Sequence, residues 1–256
     1  MKIHSLAVVE PGAQLADSVE IGPFAYIGSE VTLGENTVVL HHASIDGWTV
    51  IGEDNTIYPY AAIGGRTQDL KYSGGRAGLV IGNRNIFREY VTVHGGTDEG
   101  TFTKIGDDNA LLAYAHVAHD CTVKNHVIMS SLSALAGYVT VDDYANIAWN
   151  SGVHQFCHIG KYAMLAASSK TVMDVLPFMI AEGQPAETRA FNKINLERHG
   201  FSKEQIETVK NIFRILFHSK GNRSESLKAL EQNRETCPEI YDIVIRALQE
   251  ATRGFC

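Results

Sequence analysis

Every sixth residue of this chain is apolar over long runs, and that period constrains the fold more than any other feature. The first run starts at Ile3, Val9, Leu15 and Ile21 and continues without a miss to Ile57 and Ile63. It resumes in the same phase with Ile81, Phe87 and Val93, and again from Ile105 through Leu111, Val117 and Val123 to Ile159 and Leu165. Two residues before the apolar position the side chains are mostly small, as at Ala25, Ala43, Ala115, Cys121, Ser133, Ala145 and Ala163. Both positions point inward, so a hexad reads as one short strand and one turn. Glycine often follows the aliphatic residue (Gly22, Gly28, Gly34, Gly52, Gly64, Gly82, Gly106, Gly160), where the expectation is a corner needing permissive backbone angles. Three hexads close a triangular coil of 18 residues. Coils stacked about 4.8 Å apart complete ladders that no coil satisfies alone, which predicts a parallel β-helix of roughly eight coils.

The pattern resembles the left-handed β-helix family of hexapeptide repeats. The hand is implied by that resemblance, an exception to the usual right-handed crossover because tight corners replace the connecting helix. Two interruptions put Asp69, Gly75 and Glu99 where aliphatic residues are due, and predict extruded loops at 64–78 and 94–104, places where function tends to sit. The repeat fails at Thr171 and Pro177, and helical signals follow. The expected organisation is a β-helix over 1–189 and a small α-helical domain over 190–256. Within the latter, Ser202–Gln205 and Thr236–Glu239 read as capping boxes, and Ile206, Val209, Ile212, Phe213 and Leu216 recur at helical spacing as core.

Charge and cysteine usage bound the partners. With 22 Lys+Arg against 29 Asp+Glu the formal charge is −7, which argues against non-specific nucleic-acid binding and requires a local basic patch for any acidic partner. No stretch approaches the roughly 20 apolar residues of a membrane span, and the start MKIHSLAVVEPG lacks the n- and h-regions of a signal peptide. The expectation is a cytoplasmic protein with Cys121, Cys157, Cys237 and Cys256 reduced.

Chemistry concentrates in AYAHVAHDC (113–121), where His116 and His119 lie on one coil and Asp120 follows directly. A carboxylate beside a ring nitrogen fixes the tautomer and leaves the other nitrogen as a general base. Register adds a second argument, since residues 18 apart stack: His119 meets Gly137, Asp120 meets Tyr138, and His154 stands over Ala136. His119, Gly137, Tyr138, His154 and Gln155 therefore converge on one edge, as an active site or as a surface histidine ladder. A metal site from His94, His116 and His119, as in the gamma-class carbonic anhydrases that this pattern also resembles, stays open as an alternative, although the three lack compact ligand spacing.

Longer motifs carry a closer resemblance. DLKY (69–72), VTVHGGT (91–97), AHVAHDCTV (115–123), LAGYVTVDDYA (135–145), VHQFCHIG (153–160) and RHGFS (198–202) occur in the order found in the UDP-N-acetylglucosamine O-acyltransferases. The similarity spans essentially the whole chain. It implies transfer of a 3-hydroxyacyl chain from acyl carrier protein to the 3-hydroxyl of the glucosamine of a UDP-sugar, at the start of lipid A synthesis, without a cofactor or metal. His119 resembles the general base, Asp120 its orienting partner, and Gly137 the donor to the oxyanion. Asp69, Lys71, His94, His116, Tyr138, His154 and Gln155 match the cleft, which in this family lies between subunits of a homotrimer. Asn192 and Arg198 match nucleotide contacts, and Ala167 falls where the acyl chain is stopped. Lys193, Arg198, Lys203, Lys210, Arg214, Lys220 and Arg223 are candidates for the patch that meets the carrier. Three positions depart from the pattern: Tyr138 stands where histidine is usual, Ile194 replaces an acidic residue, and Gly95 replaces a basic one. An N-acyltransferase acting on a UDP 3-amino sugar shares the fold and much of the site, and a non-catalytic scaffold shares the fold alone.

Overall fold

The computed structural model describes residues 1–219 and 222–256. Two-residue strands at the hexad positions form three walls of 11, 9 and 8 strands, and together they make a left-handed parallel β-helix. Partners lie 18 residues apart, as in Ile3 with Ile21 and Leu135 with Val153. The aliphatic residues of successive coils stack into one continuous core in which Ile27, Ile45, Leu111, Val117, Leu135 and Leu165 are fully buried. Where the inward small position is polar, the side chain repairs its own burial. Asn55, Asn85 and Asn109 form a ladder in which each carboxamide oxygen accepts the next backbone N–H.

The corners are made differently from the sequence expectation. The left-handed backbone falls three residues after the aliphatic position, on residues such as Asp120 (φ 58°) and Tyr138 (φ 62°), and of the eight glycines named above only Gly64 has positive φ. The others answer to crowding instead: a Cβ on Gly34 would lie 2.6 Å from the Gly52 carbonyl carbon of the next coil.

Both insertions are shorter than expected. Across them the partners lie 30 residues apart (Ile57 with Phe87) and then 24 (Phe87 with Leu111), so the coils lose register with the 18-residue rule and regain it afterwards. Ala62–Gly65, Gly78–Ile81, Thr92–His94 and Phe102–Ile105 are strands, which confines the loops to 66–77 and 95–101. Thr103 is buried in the wall opposite Leu79, and its hydroxyl is satisfied there by the Asp120 N–H at 2.8 Å. Thr171 likewise continues the coil, fully buried in register with Val153, its hydroxyl donating to the Met173 carbonyl.

After an antiparallel hairpin, Met179–Gly183 with Ala186–Phe191, the chain forms helices α1 (Lys193–Arg198), α2 (Lys203–Phe217), α3 (Arg223–Asn233) and α4 (Pro238–Glu250). The Ser202–Gln205 capping box is present at the start of α2. The Thr236–Glu239 box is not. Pro238 occupies the first turn of α4 and Cys237 is its N-cap, while the Thr236 hydroxyl donates to the Asn233 carbonyl. A box at Asn222–Glu225 starts α3 instead. Val209, Ile212, Leu230, Tyr241 and Val244 pack on Leu176, Phe178 and Met179 to form a second core.

Candidate active site

The cleft lies along the 9-stranded wall, where the outward positions of successive strands are Thr92, His116, Ala134, Gly152 and Lys170. Ala134, Ala136 and Gly152 leave the floor low. Around it His116, His119, Gly137, His154, Gln155, Lys170 and, from the first loop, Gln68 enclose about 530 Å³.

His119 and Asp120 face each other on the corner that follows. The His119 Nδ1 lies 2.9 Å from Asp120 Oδ2, and both side chains are nearly buried. Asp120 is held ionised: burial opposes its charge, but hydrogen bonds from His119, Thr97 and Thr101 outweigh it and keep the carboxyl below its ordinary value. The carboxylate assigns the ring proton to Nδ1 and leaves Nε2 with a lone pair. That edge of the ring faces Gly137, where a Cβ would stand 2.5 Å from Cε1 and 2.6 Å from Nε2, so only glycine fits. Ala136 and Tyr138 spend their N–H groups on the Val153 and His119 carbonyls, whereas the Gly137 N–H has no partner among the described residues. A base and a free backbone donor therefore stand side by side.

Two of the surrounding histidines, His94 and His116, are neutral groups. Burial, then the neighbouring His94 and His119, lowers the His116 pKa to about 4, and its Nδ1 pairs with the Thr92 hydroxyl at 2.7 Å. Burial also lowers that of His94, whose ring meets His116 edge to face at 5.2 Å and whose buried Nδ1 has no partner among the described residues. These two rings offer neutral donor or acceptor nitrogens to a ligand. They do not converge with His119 as a metal would need: among the described residues no group of three or more His, Cys, Asp or Glu side chains does so. Tyr138 stands edge-on to His119 at 5.4 Å and stacks on Phe156, screening the pair. Burial, then the charges of Asp120, Asp98 and Asp69, raises its pKa.

Of the other expected residues, Asp69 is half-buried in the first loop and accepts the Lys71 N–H, and Lys71 is exposed. His154 and Gln155 line the cleft. Asn192 is not in the cleft lining: it is buried at the N-terminus of α1, donating to the Tyr162 carbonyl at 2.9 Å. Arg198 is exposed at the end of α1, and Ala167 is exposed on the corner before Lys170, outside the cleft lining. Much of the basic patch is neutralised locally, Lys193 by Glu197, Lys210 and Arg214 by Glu207, while Arg223 donates to the Leu248 and Ala251 carbonyls. Lys220 lies outside the described residues.

Sequence reasoning missed Lys170, Gln68, Thr67 and Thr97. Lys170 was within reach, being three coils of 18 from His116. The other three belong to loops whose insertions destroy the register.

Comparison with known proteins agrees with this fold. A family model described as UDP N-acetylglucosamine O-acyltransferase, domain 2, matches residues 174–256. The acyl-[acyl-carrier-protein]–UDP-N-acetylglucosamine O-acyltransferase of Burkholderia lata is 49% identical over 84% of this chain and 83% of its own. The protein of that name from Thermodesulfovibrio yellowstonii is 40% identical over 100% and 99%. The solved UDP-N-acetylglucosamine O-acyltransferase of Moraxella catarrhalis superposes with a TM-score of 0.96 at 37% identity, covering 100% of this chain and 99% of that one.

Proposed function

The chain belongs to the UDP-N-acetylglucosamine O-acyltransferase family, and from that premise we propose that its cleft moves a 3-hydroxyacyl chain from acyl carrier protein to the sugar 3-hydroxyl of UDP-N-acetylglucosamine, opening lipid A synthesis in the cytoplasm. The observation that carries the reading is the His119–Asp120 pair with its free ring edge against Gly137. His119 Nε2 takes the hydroxyl proton as the oxygen attacks the thioester carbonyl. Asp120 stabilises the imidazolium that forms, and the Gly137 N–H donates to the developing oxyanion. When the tetrahedral intermediate collapses, His119 returns the proton to the departing thiolate of the carrier. Every step is supplied by side chains and backbone of this chain, so the reading needs no cofactor or metal.

On the same reading Asp69 and Lys71 of the first loop, with His94 and His116, hold the sugar nucleotide, and Asn192 supports the helix that presents Arg198. Arg198 and Lys203 have no ion pair among the described residues and are exposed cations for the acidic carrier. A homotrimer belongs to the reading as well. Ile86 and Ile128, two coils apart on the outer face of the 11-stranded wall, are 42% and 44% exposed and offer an apolar surface to a neighbouring copy. A sedimentation mass of a single chain would remove the trimer.

The deciding experiment supplies a panel of 3-hydroxyacyl carrier proteins with UDP-N-acetylglucosamine or its 3-amino analogue. Ester formation with the hydroxyl sugar is expected. Turnover of the amino sugar alone would overturn the O-acyl reading and make Tyr138 and Ile194 specificity changes.

A further inference from the structure

Three segments that are remote in sequence meet at one imidazole nitrogen. Thr67 comes from the first loop, Thr97 from the second and His119 from a coil, and both threonines are buried, at 7% and 5% exposure. Thr97 Oγ1 lies 2.9 Å from His119 Nδ1 on one side and 2.9 Å from Thr67 Oγ1 on the other. Thr67 Oγ1 in turn accepts the Asp69 N–H at 3.1 Å. We propose that this hydroxyl pair is a positioning device that carries the setting of the first loop to the His119 imidazole, a proposal that rests on His119 being the base.

The direction of the chain follows from Asp120, whose ionised carboxylate can only accept and so calls for the ring proton on Nδ1. Asp69 N–H fills one lone pair of Thr67, and the Thr97 hydroxyl donates into the other. Thr97 then presents only lone pairs to His119, so the ring proton stays on Nδ1, shared with Asp120 Oδ2 at 2.9 Å, and Nε2 keeps the lone pair that a base requires. With Thr67 withdrawn, the Thr97 hydroxyl is free to turn and donate toward Nδ1 in competition with Asp120, so that the ring proton is divided between Nδ1 and Nε2 and the base is present only part of the time. Gln68 lies between Thr67 and Asp69 and lines the cleft. A sugar nucleotide that settles the first loop thus also settles the ring, before the acyl donor reacts. The Thr97 N–H reinforces the arrangement by donating to Asp120 Oδ1 at 3.2 Å.

The test is a double-mutant cycle on the full chain. Thr97→Val removes the hydroxyl at nearly constant volume and is expected to lower kcat about tenfold with KM within about twofold, and Thr97→Ser to restore most of the loss. Thr67→Val is expected to act in the same direction, and the double variant to be no worse than Thr97→Val alone, because one chain of bonds is broken in either case. Nitrogen NMR of the histidine rings reads the tautomer without turnover: the His119 proton is expected on Nδ1 in the wild type and in Thr97→Val, which has no hydroxyl to donate, and partly on Nε2 in Thr67→Val. Additive losses of kcat, or a His119 tautomer unchanged in Thr67→Val, would overturn the proposal. If the wild type turns over no acyl donor, the proposed function falls, while the NMR measurement still decides the relay.

Discussion

His119–Asp120 and His158–Asp142 are the same two residue types at nearly the same separation, 2.9 and 2.8 Å, on the same β-helix. The first pair is adjacent in sequence and engages Nδ1, so the ring turns Nε2 toward Gly137 and the cleft. The second joins neighbouring coils and engages Nε2. Lys124 lies 2.6 Å from the other Asp142 oxygen, and the His158 backbone N–H donates to Asp174, beside the chain's final residues. No cleft lines it. The comparison teaches that a histidine–carboxylate pair is read by which nitrogen is occupied and what the other one faces, not by its presence.

Substitutions should separate the two pairs. His119→Ala is expected to lower transfer by about 10²–10⁴, the loss typical of a deleted general base, while the coils stay folded by circular dichroism. Retained activity would reduce the first pair to the status of the second. Gly137→Ala should follow at roughly 10², because the new methyl drives into the ring and disturbs the oxyanion donor together with the base; an alanine variant of full activity would mean that the corner yields and that the close approach is not needed.

His158→Ala should do the reverse. Activity is expected to stay within about twofold while stability falls by about 2 kcal/mol, the scale for a hydrogen bond to a charged group. Its pH dependence sharpens the contrast. Burial opposes the charge on His158, but Asp142 outweighs it and raises the pKa, and Asp142 is held below its ordinary value against the same opposition. A raised histidine stabilises fully below its unfolded value, about 6.5, and loses that contribution as pH rises through the folded one. The melting difference between wild type and His158→Ala should therefore be widest near pH 6 and narrow toward pH 9. A difference that widened with pH would give the stabilisation to another group.

What could be read ahead of the structure divides along the repeat. Where the hexads run unbroken, the 18-residue register placed His119 against Gly137 and could have placed Lys170, because each coil has no freedom except to stack on the last. The glycines after the aliphatic positions, Gly64 apart, were explained wrongly: their need is set by the neighbouring coil, which is a contact and not a local backbone preference. Thr236 failed as a cap for a comparable reason, since Pro238 moved the helix start by one residue.

The amino-acid sequence by itself determined the coil, its core, the adjacency of His119 to Asp120, and the start of α2 at Ser202, all of which depend on neighbours in the chain or on a fixed period. Tertiary structure alone decided where the loops begin and end, that Asn192 is buried while Arg198 is not, which of two histidine–aspartate pairs opens on a cleft, and that Thr67 and Thr97 meet at His119. An inserted loop has no period, so the position of its side chains is set only by the surfaces it folds against.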